Sequence, residues 1–375
     1  MGRIKSKWGF FNPKSKIQNP KWYDLSQFYR KLRSDAKDSV PLSTAFHLTE
    51  KNMNPILPGA PWLIAHKSML GANKPVKITL NGHDYVLWQN QQGEICALEN
   101  VCPHMQAPLS DGWICKDRNT ITCPFHALEF DKEGRLYREG KTDSQAIAKP
   151  LELIVIDDCI WTYGGFEPKI PVPDLISKLK TGLNFIGVAG IKSIKGSFLD
   201  NLLINYDYNH QNGTHRELFK IKANHIPSFE HDGYWAKVVQ ELYRDDNTLS
   251  EIFSNPALLI APKMYKSILE YAFPALTAFQ TQTPVVDLLQ THVLYPETEN
   301  STKTFVLVYT KMKLPGLDLL LKNSILKAVA TVVEQDTTAI ENLYPREKAK
   351  IRLPNEEIMF YAERLYRDWE MASVI

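Results

Sequence analysis

The 375-residue sequence predicts an α+β protein, on three observations. Short alternating segments joined by tight-turn residues fill the first half, segments with helical spacing fill the last third, and prolines at 168, 171 and 173 separate the two textures. The length supports two domains of roughly 150 residues each, with enough chain to bury a sizeable core. With 44% hydrophobic and 23% charged residues, the composition is that of an ordinary globular chain and excludes wholesale disorder. We expect a basic N-terminal arm and lead-in over 1–59, an antiparallel β domain over 60–166, and a mixed α+β domain over 167–375.

In chain order, residues 1–34 hold nine Lys or Arg against one acid, Asp24, whereas the remaining chain carries 35 basic and 41 acidic side chains. Trp8, Phe10, Phe11, Trp22 and Tyr23 are interleaved with the cations, a pattern suited to an anionic membrane surface or to a solvated arm. Gly2 and Ser6 also fit a myristoylation pattern. The start has no apolar core of a secretory signal, and no run of about 18 apolar residues predicts a membrane-spanning helix. Five cysteines, an odd number, argue for a reducing, cytoplasmic setting rather than a disulfide framework. The net charge of +2 is not that of a nucleic-acid binder.

From Pro61 the chain reads as short strands. Segment 76–80 alternates, Asn81 and Gly82 form a two-residue hairpin turn, and 84–88 returns. Gln92 and Gly93 lead into 94–98, a further hairpin covers 130–136, and 151–163 divides into two strands about Asp157 and Asp158. Beyond the prolines, 199–219 has helical character about its centre, 235–243 and 303–313 read as strands, 317–343 as a long helix, and 356–370 as an amphipathic helix. The stretch 252–290, rich in Phe, Leu, Ala and Tyr, is either core or pocket lining.

Within the β domain, Cys102-Pro103-His104 is followed, after eighteen residues, by Cys123-Pro124-Phe125-His126. Two thiolates and two imidazoles can hold zinc, or a [2Fe–2S] cluster with two cysteines on one iron and two histidines on the other. The Cys-x-His spacing favours the cluster: neighbouring side chains of an extended segment diverge, which suits two irons better than one tetrahedral ion. Proline after each cysteine stiffens the loop. Cys96, Cys115 and Cys159 have no partner at ligand spacing and read as packed thiols. Further on, Asp207, His210 and His215 lie close together, and Asp336 interrupts an apolar helical stretch, where an unpaired charge is costly.

The two Cys/His loops, 102–112 and 123–130, closely resemble the cluster-binding loops of Rieske proteins, above all the Rieske-type oxygenases. The chain departs from that pattern at Ala127 and Leu128, where the family usually has Gly and Trp, so the turn after His126 must accept a Cβ. The resemblance extends over about 60–345 and implies a cluster held by Cys102, His104, Cys123 and His126. It further implies a mononuclear Fe(II) held by His210, His215 and Asp336, with Glu334 and Glu341 as rival carboxylates. Two histidines and one carboxylate leave open positions on Fe(II) for O2 and substrate. The resemblance gives Asp207 the task of hydrogen-bonding an iron-bound histidine and, across a subunit boundary, a cluster histidine.

The same resemblance implies an oxygenase α subunit whose catalytic domain is built on a central antiparallel sheet, in a head-to-tail homo-oligomer such as a trimer. It would hydroxylate, dealkylate or desaturate an apolar or aromatic small molecule. Without a Gly-x-Gly-x-x-Gly fingerprint the chain would draw on NAD(P)H only through a separate ferredoxin or flavin reductase. Two other readings are an electron carrier whose second domain is a scaffold, and a membrane-associated pigment or sterol oxygenase. Convergence of His210, His215 and Asp336 discriminates against the carrier.

Overall fold

The computed structural model describes residues 54–71, 74–256, 258, 261–314, 316–347 and 349–372. The basic arm and the Gly2 pattern lie outside the described residues.

The first part is built of eleven short strands: β1 (Trp62–His66), β2 (Val76–Leu80), β3 (His83–Gln89), β4 (Ile95–Glu99), β5 (Trp113–Cys115), β6 (Thr120–Thr122), β7 (Glu129–Phe130), β8 (Arg135–Arg138), β9 (Lys141–Ala146), β10 (Ile154–Ile156) and β11 (Cys159–Thr162). They form three antiparallel sheets, β1-β11-β10, β2-β3-β4 and β5-β6-β7-β8-β9. The turn residues explain the pairing. Asn81 and Gly82 both have positive φ (50° and 78°), as do Asp157 and Asp158 (54° and 64°), the conformation whose twist matches two-residue hairpins. Val86, Trp88, Leu98, Leu109, Ile121 and Phe130 fill a small core into which Cys102 and Cys123 are also packed.

Beyond residue 167 the organising element is a seven-stranded antiparallel sheet. Its strands are β12 (Asn184–Lys195), β13 (Ile221–Asp232), β14 (Trp235–Arg244), β15 (Met264–Ala272), β16 (Leu276–Gln282), β17 (Val286–Thr298) and β18 (Ser301–Met312), in spatial order β12-β18-β17-β16-β15-β14-β13. Around it lie α1 (Leu175–Leu179), α2 (Phe198–Ile204), α3 (Arg216–Phe219), α4 (Leu249–Ser254), α5 (Leu317–Glu341) and α6 (Glu356–Ala372). The strands predicted over 235–243 and 303–313 and the helices predicted over 317–343 and 356–370 are present. The expectation of helix about the centre of 199–219 is corrected. There the chain turns: the Asp207 carboxylate accepts from the Asn209 N–H (2.8 Å), His210–Asn212 form a single 3-10 turn, and Gly213 ends it. Short polar side chains that bond their own backbone compete with the helix at that point.

Helix α5 packs on β12 and β18 through Leu321, Ile325, Val329 and Val333, spaced four apart along one stripe. The approach is close because β12 and the residue after it carry glycines beneath the helix. A Cβ built at Gly187, Gly190 or Gly196 would lie 3.1 Å from Leu326, 2.6 Å from Val333 or 3.2 Å from Ile340. The three helix residues are seven apart, so two helical turns separate each contact from the next. This notched seat fixes the height and rotation of the helix that carries Asp336.

Candidate functional site

The two Cys/His loops fold as twins. In each, the cysteine carbonyl accepts from the N–H four residues on (Gln106 to Cys102, 3.0 Å; Ala127 to Cys123, 3.1 Å), and the cysteine N–H donates to the carbonyl five residues on (Ala107, 2.9 Å; Leu128, 2.8 Å). The fourth residue takes a left-handed conformation in both, Gln106 at φ 60° and Ala127 at φ 55°. The departure from the family pattern at Ala127 therefore falls on the one position of its loop that favours glycine. Alanine is accommodated because it is exposed.

This arrangement gives a buried sulfur side and an exposed nitrogen side. Cys102 and Cys123 are 1% and 0% exposed, whereas His104 and His126 stand at the surface with their Nδ1 atoms 3.2 Å apart. Burial, and a hydrogen bond with the Cys123 sulfur, push the Cys102 thiol pKa up. A cationic centre would be needed to hold this pair as thiolates. Among the described residues, no three of these four donors close to the spacing of a single ion. A buried pair of thiols in contact and an outward pair of imidazoles in contact fit the two-and-two donor division of a binuclear cluster.

The second constellation does close. His210 Nε2, His215 Nε2 and a carboxylate oxygen of Asp336 all lie within 4.8 Å of one another. Asp336 Oδ1 is 3.0 Å from His215 Nε2 and 3.5 Å from His210 Nε2, and the two Nε2 atoms are 3.3 Å apart. The turn about Gly213 sets the histidines, one opening the 3-10 turn and the other standing at the N-cap of α3. Each ring is oriented by its other nitrogen. His210 Nδ1 is bonded to the main-chain carbonyl of Asp207, and His215 Nδ1 to Gln335 Oε1 at 2.8 Å. Carbonyl oxygens only accept, so both Nδ1 atoms carry a proton and both Nε2 atoms are free to present lone pairs. These two nitrogens converge on a carboxylate oxygen that is buried without a hydrogen-bond donor, Asp336 Oδ1. This donor set fits a divalent cation with open positions.

The site draws in positive charge. Burial alone would lower the His210 pKa, but the Asp336 carboxylate raises it above the ordinary imidazole value. Burial alone would raise the Asp336 pKa, yet without a metal the two imidazoles, once protonated at Nε2, stand in for a cation and hold it down at about 2. Glu334 and Glu341 are engaged elsewhere, by Lys192 at 2.5 Å and by the Lys195 N–H at 3.0 Å.

Asp207 differs from expectation in detail. Its main-chain carbonyl, not its carboxylate, orients His210, and the carboxylate accepts from Asn209 instead. Sequence reasoning also missed Gln335, though a Gln-Asp pair inside an apolar helical stretch was a usable signal.

The triad stands at one end of a cavity of about 260 Å³ between the sheet and the elements bearing the three donors. Its walls are mostly apolar, with Leu218, Phe219, Leu269, Phe279, Ile325 and Val329 among them, and the stretch 252–290 contributes heavily to the lining. His292 also faces it; burial pushes its pKa down to about 4, against the pull of Asp336, so it is neutral at neutral pH.

Two family models match: the Rieske [2Fe–2S] domain over residues 60–149 and the vanillate O-demethylase oxygenase C-terminal domain over 198–366. The chain is 27% identical over 164 residues to the oxygenase component of dicamba O-demethylase from Stenotrophomonas maltophilia, covering 41% of this chain and 47% of that protein. It is 25% identical over 266 residues to chloroplastic chlorophyllide a oxygenase of Arabidopsis thaliana, covering 66% and 46%. To aminopyrrolnitrin oxygenase of Pseudomonas fluorescens it is 37% identical over 127 residues, covering 31% and 34%. The chain therefore spans about half or less of the length of these curated relatives. In fold it is similar to dicamba monooxygenase bound to 3,6-dichlorosalicylic acid, with a TM-score of 0.69 and 18% identity, covering 86% of this chain and 99% of that one. The two domain models lie in tandem, in the order and at the places where the twin loops and the histidine pair occur, and on that ground the chain carries a Rieske [2Fe–2S] domain followed by an oxygenase C-terminal domain of the vanillate O-demethylase type.

Proposed function

We propose that the chain is the oxygenase component of a multi-protein system that oxidises an apolar or aromatic small molecule with O2. The observation that carries this reading is the convergence of His210, His215 and Asp336 at the end of an apolar cavity, an arrangement an electron carrier has no use for. When bound, the cluster supplies one-electron relay and the Fe(II) supplies O2 activation. The protein's own groups do the rest. Cys102, His104, Cys123 and His126 hold the cluster with its histidine side outward, where Met105, Trp113 and Phe125 form an exposed apolar surround on which a ferredoxin, a flavin reductase or a neighbouring subunit can dock. Gln335 and the Asp207 carbonyl fix the imidazoles, and the cavity walls keep water from the substrate.

In this reading residues 60–166 form the relay domain and 167–375 the catalytic domain. Asp207 serves as the bridge, with its main-chain carbonyl on His210 and its carboxylate for a cluster histidine of an adjoining subunit in a head-to-tail ring. NAD(P)H is drawn on only through the separate reductase. No helix among the described residues is long and apolar enough to cross a membrane.

Metal and acid-labile sulfide analysis tests the assignment. The intact protein should hold about three Fe and two sulfides per chain, and His215→Ala or Asp336→Ala about two Fe with both sulfides kept. Zinc without sulfide in protein purified anaerobically would sink the cluster. Loss of iron in Glu341→Ala rather than Asp336→Ala would move the carboxylate ligand.

A further inference from the structure

The cavity has two chemically different ends. Along β17, Val286, Leu288, Gln290 and His292 all line it, so it follows one face of the strand for roughly 20 Å. His292 lies at the triad end, within the fields of Asp336 and His215. At the opposite end, Ser267 pairs with Thr281 and Leu242 with Tyr265, which puts Tyr265 level with Thr283 and Arg244 one side-chain step further along the same face.

Arg244 is the one arginine or lysine among the described residues of the lining and is only 7% exposed. Its Nε donates to the Phe219 carbonyl (3.0 Å), and its Nη2 to the Leu218 carbonyl (3.3 Å) and to Asn247 Oδ1 (2.7 Å). No carboxylate among the described residues pairs with it, and Nη1 has no hydrogen-bond partner there. The acids of the lining, Asp207 and Asp336, belong to the triad end. Tyr265, beside it, is half-buried, and its hydroxyl likewise has no hydrogen-bond partner among the described residues. A buried guanidinium without a counter-ion is costly, and the planar fork of arginine suits a carboxylate.

We infer that Arg244 and Tyr265 form an anion subsite, so that the molecule held in this cavity has an apolar, ring-containing body with a carboxylate at the end remote from the triad. The spacing sets its length. Arg244 bonds the last carbonyls of α3, whose N-cap is His215; four residues of helical rise plus the hydrogen bond put the guanidinium on the order of 10 Å from the His215 backbone, and the β17 wall of roughly 20 Å bounds the span to the triad from above. Carboxylate capture positions the far end of the body at the triad. Only the identity of the end that is oxidised rests on the oxygenase reading; the subsite does not.

The test is therefore equilibrium binding without turnover. Biphenyl-4-carboxylate and biphenyl-4-carboxamide have the same shape and differ in charge. Calorimetry on the anaerobic full-length protein should show the acid bound about tenfold or more tighter than the amide. Arg244→Gln should bring that ratio to about one while changing amide affinity less than about threefold, which a merely structural role of the arginine would not do. Tyr265→Phe, which gives up no contact with the backbone, should lower the ratio about threefold and carries the comparison even where Arg244→Gln fails to fold. Equal affinities in the wild type, a preference that survives Arg244→Gln, or no saturable binding of either probe overturns the subsite. A preserved acid preference in protein lacking iron and sulfide would instead overturn the oxygenase reading and leave the subsite standing.

Discussion

Gly190→Ala tests whether the notched seat on β12 sets the position of Asp336. The new Cβ would lie 2.6 Å from Val333 Cγ2 and 2.8 Å from Val333 Cβ, where carbon atoms settle at about 3.5–4.0 Å. The helix must therefore lift by about 1 Å. Overpacking of this kind costs about 1–3 kcal/mol, and alanine at φ +60° adds about 1 kcal/mol of backbone strain. The sum, about 3 kcal/mol, corresponds to roughly 10 °C in melting temperature. Val333 is one turn before Asp336, so the lift reaches the carboxylate and Gln335 directly, and a displacement of about 1 Å at reacting groups costs on the order of a hundredfold in rate. Gly182→Ala is the control, since Gly182 also has positive φ (76°) but nothing lies within 4 Å of its added Cβ. Thermal unfolding and iron content should separate the two, with Gly182→Ala losing about 1 kcal/mol and no iron. A Gly190→Ala protein that melts with the control and keeps its mononuclear iron would refute the seat as a positioning device.

Two further outcomes are expected. Ala127→Gly relieves the left-handed strain of the second cluster loop, and because Ala127 is exposed the change leaves no cavity; stability in urea titration should rise by about 0.5–1 kcal/mol, and a loss would show that the turn is not strained. His292 has a folded pKa of about 4 against 6.5 unfolded, so between these values the unfolded chain binds more protons. Its contribution is whole above pH 6.5 and lost as pH falls toward 4, about 3 kcal/mol in the metal-free protein, and His292→Gln should flatten the stability profile across that window.

Much of this molecule was legible in the sequence, for identifiable reasons. The hairpins at Asn81 and Asp157 were readable because two-residue turns need positive φ and so restrict residue choice. The proposed ligands were readable because metal chemistry restricts it more severely still. Strands β12, β13, β15, β16 and β17 were not singled out. They are paired with neighbouring strands or pressed against helices, and what they bury is decided by partners far along the chain. The glycines of β12 had no local meaning until Leu326 and Val333 were seen above them. Arg244 looked like one charge among many, since nothing nearby in sequence told that its side chain turns inward to the carbonyls of α3.

The cavity wall and the proposed metal ligands come from different stretches of chain. His210, His215 and Asp336 sit on a turn and on a helix outside the sheet, while β15, β16 and β17 supply alternate side chains to the wall. Side chains alternate between the two faces of those strands, so the neighbours of each lining residue face the other way. A change at Leu269, Phe279 or Gln290 can therefore redraw the space a molecule must fit while leaving the triad's supports, Gln335 and the Asp207 carbonyl, in place. In the proposed reading, selection acting on this chain can reshape the space a molecule fills without first rebuilding the set of metal ligands.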